Sequence, residues 1–211
     1  PTKAIYQSYL AEKYFNYWQR NRWKIDRRTE LADTASIYDE TTWSSQSFVN
    51  RITDLYLSSL EATELRDKDL AAYGPLVIPG KNAEDLRPSI YDLLLHRALD
   101  YFQNNDAFLG EPGYEVLLDK VALLGSVKDF IAFDLPSTER ATSFHRTLEI
   151  LQEALGWSLN DRAGSMAHLD LDLTRLELVY RQLNTEARHE AYRESLTRLQ
   201  KQHKNTPQEA M

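Results

Sequence analysis

The chain has 211 residues, 42% hydrophobic and 27% charged, with no cysteine and a net charge of −7. That length suffices for one large domain or two small ones with cores of their own. The missing cysteine excludes disulfides, thiolate zinc sites, cysteine nucleophiles and thioesters within the chain, the acidic balance argues against general nucleic-acid binding, and there is no apolar run of the roughly 18 residues that spanning a membrane needs.

Residues 4–23 have helical spacing and are crowded with aromatics, Tyr6, Tyr9, Tyr14, Phe15, Tyr17, Trp18 and Trp23, which wrap most of the way round. Several faces of this helix are therefore expected to be covered. Residues 27–42 mix Thr, Asp and Ser and read as irregular. A second helix is predicted over 45–65, with Phe48, Ile52, Leu55, Tyr56 and Leu60 on one side and Trp43 placed to staple its entry. Leu70 and Tyr73 mark a short turn of helix, and Gly74-Pro75 and Pro79-Gly80 punctuate the chain. A third helix is predicted over 88–104, with Pro88 in its first turn and Ile90, Leu93, Leu94, Ala98, Leu99, Tyr101 and Phe102 forming a wide apolar face.

Residues 114–133 hold short apolar runs whose period does not separate helix from strand; they read as mostly helical, with a small hairpin left open. The pattern then sharpens. Residues 137–155 carry Phe144, Leu148, Leu151 and Leu155 in register, with Gly156 as the expected cap. Helices over 167–183 and 185–203 follow after short polar loops. The reading is an all-α fold of stacked antiparallel helical hairpins, an irregular TPR-like or α-α superhelix, divided into a helical region 1–135 and a hairpin region 136–211. There is no 34-residue self-similarity that would mark a regular array. Pro1 stands where a methionine would start a protein, and Thr206-Pro207 with Glu209 reads as the capped start of a further helix. Both predict a segment of a longer protein.

Catalytic patterns are missing from the sequence. His96, His145, His168, His189 and His203 form no HExxH pair and no two stand three or four residues apart, so each reads as a helix-face histidine. On a helix His168, Asp170 and Asp172 fan out, and acids near a helix start act as dipole partners. Asp39-Glu40 and the Asp67, Asp69 pair sit in polar linkers, and there is neither a phosphate-cradling glycine loop nor a GxSxG elbow. The chain is expected not to be an enzyme and to carry no catalytic, cofactor or metal residues. The charged segment that stands out is Arg20, Arg22, Trp23, Lys24, Arg27 and Arg28, where cations interleave with an indole. It is the candidate interaction surface, although an arginine network closing the first helix against neighbouring acids is the favoured reading. Trp18, Trp23, Trp43, Tyr91 and Phe102 are expected to be structural.

Several segments, in order, resemble a known family: Tyr17-Trp18 through Asn21-Arg22-Trp23-Lys24, Arg28-Thr29, Glu40-Thr41-Thr42-Trp43, Leu55-Tyr56-Leu57-Ser58-Ser59-Leu60, and above all Leu86-Arg87-Pro88-Ser89-Ile90-Tyr91-Asp92-Leu93-Leu94-Leu95-His96-Arg97-Ala98-Leu99. Ala191-Tyr192 through Lys204 and Thr206-Pro207 fit the same pattern. Together they resemble the helical N-terminal region of large bacterial alpha-2-macroglobulin-like proteins. The resemblance implies an exported parent in the cell envelope facing the periplasm, with macroglobulin-type β-sandwiches further along and a role in trapping or inhibiting proteases. It carries no thioester over to a chain without cysteine, and no family catalytic residue maps here. The expected function is a non-catalytic helical scaffold or protein-interaction region, with other domains of the parent, proteases or envelope proteins as partners and no cofactor. The alternative is a carbohydrate-binding helical module of a surface lipoprotein, suggested by 4 tryptophans and 12 tyrosines.

Overall fold

A computed structural model describes residues 1–27, 39–74, 83–104, 119–136 and 142–204. The fold is all-α. Eight α-helices are present among the described residues, α1 Thr2–Ile25, α2 Ser45–Leu60, α3 Ala83–Leu86, α4 Ile90–Phe102, α5 Val127–Ala132, α6 Ser143–Asp161, α7 Met166–Gln182 and α8 Ala187–Gln202. Short 3-10 helices lie at Glu40–Thr42, Thr63–Asp67, Leu70–Tyr73 and Val121–Leu124, and no strand is present among the described residues. The expected helix start at Thr206-Pro207 lies outside them, as do residues 114–118 and 137–141. Contacts divide the chain into two compact units, Pro1–Val77 with Ser89–Gly110, and Ile78–Pro88 with Glu111–Met211.

In the first unit α1 packs on α2 and α4. Its inward face is Ala4, Ser8, Ala11, Trp18 and Ile25, all buried. The small residues at its start allow Arg97 of α4 to reach across, donating from Nε to Ser8 Oγ at 2.9 Å and from its second terminal nitrogen to Glu12 at 3.0 Å. Further along the contact turns aromatic. Phe15 meets Tyr101 edge-on at 5.3 Å, and Tyr101 stacks on Tyr56 at 5.0 Å. Trp43 precedes the α2 cap, Ser44, whose side chain accepts from Ser47 N. Its ring meets Phe48, the fourth helical residue, at 5.0 Å, so the hydrophobic staple forms as expected.

Two boundaries differ from expectation. Helix α2 ends at Leu60, because Ala62 leaves the helical region (ψ 70°) and Leu65 is then buried from a separate 3-10 helix, Thr63–Asp67. Pro88 stands outside α4. Ser89 takes the cap instead, in a capping box where its hydroxyl accepts from Asp92 N and the Asp92 carboxylate accepts from Ser89 N.

In the second unit the four-residue connections 162–165 and 183–186 turn α7 back along α6 and α8 back along α7. Gly156 was the expected end of α6, but it lies inside that helix, which runs on to Asp161. The reversal is made by Gly164, at φ +79°, a conformation that glycine adopts without strain. Residues 119–133 form a 3-10 helix and the short α5 rather than a strand pair, held by side chains of the three long helices. Gln152 of α6 donates to the carbonyls of Phe130 and Phe133, each at 2.8 Å. Arg175 of α7 donates to Leu123 O at 2.6 Å and Gly125 O at 3.0 Å, and Ser195 of α8 to Leu124 O at 2.5 Å. The carbonyls that a helix end leaves unpaired are thereby satisfied by side chains.

Candidate functional site

The buried polar groups hold helices together. Arg175 is fully buried and pairs with Asp172 at 2.7 Å on its own helix. Burial lowers the Arg175 pKa, with the Asp172 charge opposing that shift. His168 is buried and its Nδ1 lies 3.0 Å from Ser158 Oγ. Desolvation lowers its pKa from 6.5, again against the pull of Asp172. Ser158, His168 and Asp172 thus bring together the residue types of a hydrolytic triad. However, Ser158 is 0% exposed and Asp172 is committed to Arg175, so no substrate carbonyl can reach the hydroxyl. His145 sits beside Glu149 at 3.3 Å and His189 bonds the Tyr180 hydroxyl at 3.0 Å. Among the described residues no three His, Asp or Glu side chains converge on a metal-sized site. The linker carboxylates cap turns: Asp39 accepts from Thr41 N at 3.1 Å, and Asp69 from Ala71 N at 2.9 Å.

The surface offers something else at the C-terminal end of α1. Trp18 is fully buried and donates its indole N–H to Ser45 Oγ at 3.0 Å. Ser45 in turn donates to Asp26, which also pairs with Arg22 Nε at 3.5 Å. Asp26 therefore ties the end of α1 to the start of α2. This link was not anticipated, since nothing local to either residue announces a partner 19 positions away.

With the inward side anchored, the outward side is set. Trp23 is 62% exposed, which corrects its expected structural role; Trp18, Trp43, Tyr91 and Phe102 are buried. Lys24 Nζ and the Arg27 guanidinium lie over the Trp23 indole, 5.1 and 5.7 Å from its centroid. Arg22 lies over Trp18 at 5.1 Å. Arg20 is exposed and forms no ion pair among the described residues, and Arg28 lies outside them. Among the described residues the expected arginine network comes to one ion pair, Arg22 with Asp26. Placing cations at a helix C-terminus favours the helix dipole by only about 0.3–1 kcal/mol each, so stability alone is a weak reason for so many.

Comparison of the chain with protein-family models, with curated proteins and with solved structures gave no match in any of the three. No helix among the described residues is long and apolar enough to cross a membrane.

Proposed function

We propose that the chain is a non-catalytic, protein-binding helical region of a large exported protein, and that it presents the outward side of α1 to its partner. The observation that carries this reading is the exposed Trp23 with Lys24 and Arg27 on its ring. A large aromatic left in water beside cations that form no ion pair among the described residues is the kind of group that anchors a protein interface. The inward polar clusters support the same reading, since each already has a structural partner. What supports a macroglobulin-like parent in the cell envelope is the resemblance centred on Leu86 to Leu99, and on that reading proteases or envelope proteins are the proposed partners.

The carbohydrate-binding alternative needs a bare aromatic face for sugar stacking, and on Trp23 two cations already lie over the ring. The test is in-cell photo-cross-linking with benzoylphenylalanine in place of Trp23 in the intact parent protein. A discrete polypeptide adduct is expected. Absence of any protein adduct, together with glycan-array binding abolished by Trp23→Ala, would replace this reading with the carbohydrate one.

A further inference from the structure

The outward side of α1 has a register of its own. Lys3, Tyr6, Leu10, Lys13, Tyr17, Arg20 and Lys24 follow one another at alternating spacings of three and four. On a helix that alternation draws a single seam, the geometry along which a second helix packs at a shallow angle. Every member but Leu10 is exposed, and Leu10 is half-buried. At 3.6 residues per turn the seam runs about 100° to 160° round the helix from the buried line Ala4, Ala11, Trp18 and Ile25. It spans three heptads, about 30 Å at the helical rise. Tyr6 is 64% exposed, and Tyr17 is 39% exposed with its ring also meeting Phe48 of α2 at 5.8 Å.

The seam has one sign of charge. Helix α1 carries the single carboxylate Glu12, which is off the seam and engaged by Arg97 at 3.0 Å. Lys3, Lys13, Arg20 and Lys24 have no ion-pair partner among the described residues, in a chain whose net charge is −7. A chain with an acidic majority thus carries on one line four cations that no described carboxylate neutralises.

We infer that this seam is the docking site for an acidic α-helix of a partner polypeptide, with carboxylates meeting the four cations and Tyr6, Leu10 and Tyr17 packing between them. The inference deepens the protein-binding function proposed above and rests on it. A straight helix is the partner that matches a 3-4 spaced line. A slim helix also meets only the seam, within the roughly 8–10 Å over which charges act in physiological salt. A membrane or a nucleic acid is a broad polyanion that would face the acidic remainder of the chain as well.

The probe is a synthetic acidic helix of about three heptads with Glu at the 3-4 spaced positions, titrated against the 211-residue chain. Controls are the same peptide broken by proline, its Lys-for-Glu counterpart, phosphatidylglycerol vesicles and duplex DNA. Expected are binding by the acidic helix alone, weakening steeply with salt, and a loss of about tenfold or more in Arg20→Glu/Lys24→Glu. These side chains are exposed, so the variant is expected to keep its circular dichroism and melt; should it not, Arg20→Gln/Lys24→Gln in the same titration decides. Unchanged affinity in the variants, equal binding by the proline-broken peptide, or tighter binding to vesicles or DNA overturns the inference. A persistent protein adduct at position 23 with no acidic-helix binding refutes the helix alone; loss of both refutes the protein-binding function too.

Discussion

Arg175 shows how much one side chain can be asked to hold. It is fully buried and serves Asp172, Leu123 O and Gly125 O at once, with its guanidinium 4.9 Å from the Phe130 ring. Removing one partner of a buried pair strands the other charge, which costs about 3–5 kcal/mol. Arg175→Met is expected to lower stability in urea titrations by that amount, and Arg175→Met/Asp172→Leu to lose less because no charge is left behind. Equal losses would show that the carbonyl caps, not the ion pair, carry the effect. His168 predicts a pH dependence. Its folded pKa is below the ordinary 6.5, so the unfolded chain takes up its proton first as pH falls. The stability it contributes is complete above about 6.5 and is lost as pH drops through that value toward the lower folded one. Melting curves across this range are expected to show a shallower acid loss in His168→Gln, which keeps a polar partner for Ser158; parallel curves would contradict the assignment.

At the scale of elements, helix ends are decided by small groups and helix faces by large ones. Trp43 contacts Tyr14 at 5.1 Å and Phe48 at 5.0 Å, and is 4% exposed. Trp43→Ala is expected to cost about 3–5 kcal/mol in chemical denaturation, as core truncations of this size do. Trp23→Ala, on the exposed side of α1, is expected to stay within about 0.5 kcal/mol. Similar losses at both sites would mean that Trp23 is covered in solution. Gly156 gives the opposite sign. It lies inside α6, and a Cβ there would meet nothing within 4 Å. Gly156→Ala is therefore expected to raise stability by about 0.5–1 kcal/mol through helix propensity. The same change at Gly164, at φ +79°, is expected to destabilise.

For the whole molecule, two units each bury a core of their own. Leu94 and Phe48 are fully buried in the first, and Leu151 and Leu176 in the second. Leu151→Ala is expected to cost about 2–5 kcal/mol. Amide hydrogen exchange is expected to show the lost protection concentrated in α6, α7 and α8, with α1, α2 and α4 little changed. A uniform rise across all helices would indicate one cooperative unit. Charge is distributed unevenly over this architecture. Helix α1 holds five cations against one carboxylate while the chain as a whole is acidic, and this asymmetry is what gives the molecule a distinguishable face.

What the sequence determined was local. Apolar residues recurring at 3.6-residue spacing made Leu148, Leu151 and Leu155 a helix face whatever surrounds them, and Trp43 ahead of Phe48 announced a staple, because both depend on neighbours within a turn or two. The basic run from Arg20 to Arg27 was legible as chemistry for the same reason. Tertiary structure decided which way each face looks. Trp18 and Trp23 are the same residue type five positions apart on one helix, yet one is fully buried and the other 62% exposed. With aromatics on every side of α1, periodicity alone left its outward side undefined, so Lys3, Tyr6, Lys13 and Tyr17 went unnoticed as part of a surface. The bond from Ser45 to Asp26, and the grip of Arg175 on Leu123 across 52 positions, arise only when distant segments meet. Burial and desolvation are sums over such non-local neighbours, and no window along the chain contains them.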